Sequence, residues 1–184
     1  MKLLRIEPDS SGKYLKKYTL VYENKAGKEK PYEIVSHHDI NATEEIGNQV
    51  SGVSIVAYHE GKLLLLREFR MGVNRYIYNL CAGRLEKGES IEDCIRRELY
   101  EETGLSLKRI LHILKPSYAA VSFSDVRTQI AFVEVEGTFA DHASDNEEIR
   151  AGFYTKEEVN ELLENEDFSS RAQAIAYFFA SSNS

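Results

Sequence analysis

The chain has 184 residues, with 23 lysines and arginines against 30 aspartates and glutamates, a formal net charge of −7, and 42% apolar residues. This length and composition suit one ordinary domain, or a compact domain with a small appendage, and exclude a disordered or fibrous chain. The negative charge argues against broad nucleic-acid or anionic-membrane binding, so an anionic substrate would have to be received by local arginines or a metal.

The N-terminal residues Met1 to Asp9 carry charges at Lys2, Arg5, Glu7 and Asp9, and no export signal is expected there. From Lys13 to Glu23 and again from Lys30 to His37, aromatic and β-branched residues flank a turn at Asn24 to Lys28, which predicts a β-hairpin. So small an antiparallel unit can hardly bury itself and calls for a partner surface. After a polar stretch, Val50 to Tyr58 and Lys62 to Phe69 read as a second strand pair joined by His-Glu-Gly. The apolar run Leu63 to Leu66 inside it is too short to span a bilayer.

Tyr76 to Leu80 predicts a short strand, Cys81 to Glu89 a loop, and Ile91 to Thr103 a helix, with Ser90 and Asp93 as its cap and Gly104 as its stop. The two cysteines, Cys81 and Cys94, suit a reducing, cytoplasmic setting and are expected to be free. Leu107 to Leu114 and Arg127 to Val135 read as strands around a functional-looking loop, Lys115 to Asp125, in which Tyr118 and Phe123 are candidates for stacking. An acidic stretch, Asp141 to Glu148, precedes a strand at Ile149 to Tyr154 and helical segments at Thr155 to Asn165 and Ser169 to Ala180.

On a wheel of about 100° per residue, Ile91, Cys94, Ile95 and Leu99 share one arc, and Glu98 and Glu102 fall inside it with Glu101 at its edge. No lysine or arginine lies on that arc. Inward carboxylates cost several kcal/mol each unless a cation receives them. Spacings of three and four residues allow Glu98, Glu101 and Glu102 to share a bound ion, and oxygen-only ligation favours Mg²⁺, or Mn²⁺, over zinc.

The segment Gly83 to Leu105 resembles the Nudix box, G-x(5)-E-x(7)-R-E-U-x-E-E-x-G-U, at Gly83, Glu89, Arg97, Glu98, Leu99, Glu101, Glu102, Gly104 and Leu105. The resemblance implies an α/β/α sandwich with a mixed sheet for residues 47–184, preceded by a small β unit over residues 1–46 that such relatives exchange in a homodimer. It implies metal ligation by Glu98, Glu101, Glu102 and the carbonyl of Ala82, with Glu89 and Arg97 as the pair holding loop to helix. It further points to the ADP-ribose and nucleotide-sugar pyrophosphatase branch through Arg67-Glu-Phe-Arg70, Pro116 to Arg127 and Asp145 to Ile149.

Arg70 and Arg84 are the candidate substrate-binding arginines. Glu147, with Glu148 beside it, is the preferred general base, with Glu102 as the alternative. The implied reaction splits a nucleoside diphosphate sugar into a nucleoside monophosphate and a sugar phosphate. Alternative readings are a Nudix hydrolase for nucleoside triphosphates or dinucleoside polyphosphates, and a Nudix-fold ligand sensor. Asn79 stands where that branch commonly has Glu, Cys81 where Pro is common, and Val126 where Glu often follows, which leaves the group beyond the diphosphate open.

Overall fold

The N-terminal strands alternate as their side chains demand: on β2 (Lys16–Glu23), Tyr18 and Leu20 are buried, and Tyr22 packs beside them. The structure is a computed structural model and describes residues 2–12, 14–140 and 148–182. It divides into two compact units, residues 1–51 with 116–128, and residues 52–115 with 129–184.

In the first unit β1 (Lys2–Ser11), β2 and β3 (Glu29–Ser36) form a three-stranded antiparallel sheet in that order. The β2–β3 hairpin is the expected one. Its turn is tied by the Asn24 side-chain oxygen, which accepts from the Ala26 and Lys28 amides at 2.8 and 3.1 Å, and Gly27 supplies the left-handed residue at φ 72°. Strand β1 was not expected from the sequence. Pro8 lies within it and is tolerated because β1 is an edge strand, paired among the described residues only with β2. Tyr18, Leu20, Ile34 and Ile40 make a small core, and a cavity of about 240 Å³ is lined by Tyr22, Tyr32, Tyr118 and Asp125 among others.

The second unit is built on the larger sheet, a mixed one of eight strands. Its path runs β11 (Ile149–Tyr154), β5 (Lys62–Arg70), β4 (Val50–His59), β10 (Arg127–Glu136), β8 (Ser106–Ile113). Strands β6 (Arg75–Asn79), β7 (Cys81–Arg84) and β9 (Ser117–Tyr118) pair with β5, β4 and β10 respectively. The segment Cys81 to Arg84, expected to be loop, is therefore a strand. It lies so close to β4 that a Cβ on Gly52 would come within 2.1 Å of the Gly83 carbonyl oxygen.

Helices cover both faces of this unit. Helix α1 (Ile91–Thr103) buries Cys94, Ile95 and Leu99 against Val53, Ile55, Leu64, Leu66 and Val133. On the opposite face α2 (Lys156–Asn165) and α3 (Ser170–Ser181) bury Val159, Ala172 and Ala176 against Val56, Leu63, Leu65 and Leu80. Each fully buried leucine or isoleucine contributes roughly 1.5–3 kcal/mol, so the two apolar layers hold α1 and its carboxylates in place. Among the described residues no helix is long and apolar enough to cross a membrane.

Candidate active site

The side chains that follow all belong to the second unit, and strand register sets them out. Ile149 stands opposite Glu68, so Glu148 enters beside β5, where its carbonyl accepts from the Phe69 amide at 3.1 Å. Across the other edge of β5, Asn79 stands opposite Leu66. Strand β7 places Ala82 opposite Ser54 and delivers the chain to the loop before α1. Ser90 then caps the helix by accepting from the Asp93 amide at 3.1 Å, and Gly104 ends it in the left-handed conformation at φ 75°.

Arg97 organises the first half of the site. Its guanidinium donates to both oxygens of Glu89 at 2.8 and 3.0 Å, to Glu98 at 2.6 Å, to Glu101 at 3.1 Å and to the Arg84 carbonyl at 2.9 Å. The Glu89 carboxyl is consequently held down at about 2, chiefly by the hydrogen bond from Arg97. Loop and helix are thereby tied together. The wheel placed Arg97 opposite the inward carboxylates; its long side chain curls back over the helix and reaches two of them.

Glu98 is largely buried, and burial raises its carboxyl pKa against the opposing pull of Arg97. Glu98 also lies over Gly83, where a Cβ would come within 1.7 Å of its carboxylate carbon. Gly83 is therefore required by the approach of that side chain. Glu101 points outward, with half of its side chain exposed.

Glu102 is the opposite case to Glu89. It accepts from the Ala82 amide at 3.2 Å and from the buried Cys81 thiol, and among the described residues no lysine or arginine forms an ion pair with it. Burial above all, with the charges of Glu98 and Glu68 behind it, pushes its carboxyl up to about 8. Glu68 is itself buried. Its two oxygens meet the Asn79 amide nitrogen at 2.6 Å and Arg70 Nη1 at 3.4 Å.

Arg70 is more than half exposed, and the Arg84 side chain is exposed while its carbonyl serves Arg97. Glu148 is exposed and accepts a hydrogen bond from the Tyr76 hydroxyl, which raises the tyrosine's pKa. Glu147 and Asp145 lie outside the described residues. Cys81 and Cys94 are free and buried, and burial pushes the Cys94 thiol up to about 12, so neither is a ready thiolate.

Among the described residues no three acidic, histidine or cysteine side chains stand together as a finished ligand set, because Arg97 draws Glu98 and Glu101 to itself. The donor chemistry nonetheless suits a hard divalent cation. Glu102 is a carboxylate that burial forces toward its neutral form, with a second buried carboxylate, Glu68, on the face of β5 that packs against α1 and no ammonium or guanidinium in its own hydrogen bonds. A cation received there by oxygen ligands removes that penalty.

Comparison with known proteins bears on the same segment. A model of the NUDIX domain matches residues 48–178. The chain belongs to the NUDIX family. This NUDIX chain is 32% identical over 134 residues to an ADP-ribose pyrophosphatase of Bacillus subtilis, an alignment covering 72% of the chain and 65% of the relative. It is 33% identical over 105 residues to an ADP-ribose pyrophosphatase of Escherichia coli K12, covering 55% of the chain and 50% of the relative. The NUDIX chain thus spans from half to about two-thirds of the length of these relatives. A crystal structure of an ADP compounds hydrolase superposes with a TM-score of 0.76 at 22% identity, over 97% of the chain and 90% of that structure, and shows the same fold.

Within this NUDIX site, sequence reasoning did not single out Glu68, Asn79 as its hydrogen-bond partner, Tyr76 or Ser169. A signal for Glu68 was present: it continues the inward parity of Leu64 and Leu66 on β5, a carboxylate at the third position of a buried row. The flanking arginines at 67 and 70 gave the stretch the look of a surface strand.

Proposed function

We propose that the chain is a divalent-cation-dependent pyrophosphohydrolase that splits a nucleoside diphosphate sugar of the ADP-ribose type into a nucleoside monophosphate and a sugar phosphate. The single observation that carries the catalytic part is Glu102, a carboxylate without a cation at the heart of a complete box. The names of the relatives support the choice of substrate.

Glu98, Glu101, Glu102 and the Ala82 carbonyl would hold Mg²⁺ or Mn²⁺. When bound, the cation supplies the positive charge that the diphosphate oxygens require and activates water for attack on phosphorus. Arg70, exposed beside Glu68, donates to the same diphosphate oxygens, and Arg84 adds charge from the loop before α1. Glu147 is the preferred acceptor of the proton released by the attacking water, with Glu148, which accepts from the Tyr76 hydroxyl, next in the chain. Glu89 and Arg97 keep the loop seated so that Glu98 stays over Gly83. Tyr118 is half exposed at the cavity of the first unit.

The N-terminal sheet is assigned to exchange in a homodimer, which its small core and the exposed Leu15, Val121 and Phe123 support. The free cysteines accord with a reducing, cytoplasmic compartment. A screen of ADP-ribose, other nucleotide sugars, dinucleotides and triphosphates with Mg²⁺ and Mn²⁺, with products resolved by chromatography, tests the reading. Nucleoside monophosphate plus sugar phosphate is the expected pair. Release of inorganic phosphate or pyrophosphate from a triphosphate in preference overturns the substrate assignment.

A further inference from the structure

Glu68 is a charged residue in the buried core, 7% exposed, and nothing in the reaction as set out above uses it. Its surroundings are built rather than incidental. Ser169, the cap of α3, accepts from the Ala172 amide at 3.3 Å and spends its hydroxyl proton on Asn79 Oδ1 at 2.7 Å. The Leu80 amide donates to the same oxygen at 3.0 Å. Two donors fix which end of the amide is oxygen, so Asn79 must turn its nitrogen toward Glu68, which it meets at 2.6 Å.

The second Glu68 oxygen faces Arg70 at 3.4 Å, two residues along the same strand and hence on the same side of the sheet. Glu68 follows Leu64 and Leu66 on the face of β5 that packs against α1, the helix that carries Glu102. A glutamine at 68 would keep an acceptor for Asn79 and the same volume without burying charge. Retaining a carboxylate where an amide would satisfy the hydrogen bonds at lower cost points to a need for the charge itself.

We infer that Glu68 is a positioning residue of the cation site: held by the Ser169–Asn79 chain, it adds negative charge beside Glu102 and restrains Arg70. This rests on the cation-dependent reading above. With Glu68 in place, a divalent ion meets a more negative surrounding than the box alone provides, and Arg70 keeps its ion pair with Glu68. Removing the charge weakens capture of the ion without disturbing the fold. A partner that orients the first ligands of a metal is typically worth about 10-fold or more in affinity.

The test is Mn²⁺ binding to the full chain, without substrate, followed by electron paramagnetic resonance of the free ion. Glu68→Gln should bind roughly 10-fold more weakly than the wild type, with an unchanged or higher metal-free Tm. Asn79→Leu should weaken binding in the same direction. The exchanged pair Glu68→Gln/Asn79→Glu returns a carboxylate hydrogen-bonded to an amide across the same two strands, and should recover most of the lost affinity. In turnover assays Glu68→Gln should shift Mg²⁺ activation to higher concentration and regain rate as Mg²⁺ saturates.

Wild-type affinity in Glu68→Gln overturns the inference. So does an exchanged pair no better than the single variant, since the loss then belongs to disturbed packing. If Glu102→Gln abolishes binding while Glu68→Gln leaves it unchanged, the inference fails and the cation reading stands. If the wild type binds no Mn²⁺, both fail together.

Discussion

Two carboxylates of one motif sit about three turns of chain apart in opposite electrostatic conditions. Glu89, before α1, is gripped by both arms of Arg97 and its carboxyl is held at about 2. Glu102, in the last turn of the same helix, has only an amide and a thiol as donors, and burial pushes it up to about 8. The last turn of α1 contains no basic residue, so Glu101 and Glu102 also oppose the helix dipole. The first region satisfies itself and serves as scaffold. The second violates three local preferences at once, and such concentrated violations mark a place where a ligand completes the structure.

The largest effect should come from removing the uncompensated partner. Glu102→Gln is expected to lower kcat by on the order of 10³-fold, within the range of a lost acid–base or ligand carboxylate, while the metal-free protein becomes no less stable. Turnover of the preferred nucleotide sugar and thermal melts in EDTA measure the two halves of that contrast. Near-normal turnover at saturating Mg²⁺ would place the chemistry elsewhere.

The next effect falls on the scaffold side, where stability rather than chemistry should suffer. Arg97→Gln leaves Glu89 and Glu98 with no cation, and breaking a largely buried ion network by removing one partner costs about 3 kcal/mol or more. Urea unfolding should show it. Arg97→Lys should recover only part, because an ammonium cannot reproduce the fork that spans Glu89, Glu98 and the Arg84 carbonyl.

Why sequence reading reached the box but not this division of labour follows from the residues. The span of α1 was legible to both ends because Ser90, Asp93 and Gly104 punctuate it and Cys94, Ile95 and Leu99 repeat at helical spacing. The strands β5 and β11 were legible from their apolar and aromatic content. Strand β7 was not, since Cys-Ala-Gly-Arg has no β-branched residue and its pairing depends on the close approach at Gly52. The wheel found the inward turn of Glu98 and Glu102. It represents a residue by an angle alone, however, and a guanidinium on a long flexible stem is not confined to its angle. Glu68 and Asn79 meet only through the β5–β6 pairing, a long-range fact that no local pattern carries.

The smallest effect, and the one that separates the two carboxylates most directly, is the pH dependence of stability. Glu102 has a folded pKa of about 8, above its ordinary 4.5, so its contribution is fully present below about pH 4.5 and is lost as pH rises through 8. Glu89 has the opposite sign. Held at about 2, it contributes fully above about pH 4.5 and loses that contribution as pH falls. In EDTA, stability should therefore decline by at most about 2.5 kcal/mol between pH 5 and pH 7, with a separate decline in acid. Mg²⁺ should suppress the first decline, because an ion held at Glu102 replaces the proton, and should leave the second untouched, because Arg97 already occupies Glu89. Glu102→Gln should flatten the upper limb without any metal, and Glu89→Gln should flatten only the lower one. Thermal melts from pH 3 to pH 8, with EDTA and with Mg²⁺, measure all four limbs. An upper limb that persists in Glu102→Gln would transfer the uncompensated charge to another group and remove the contrast from which the cation site is argued.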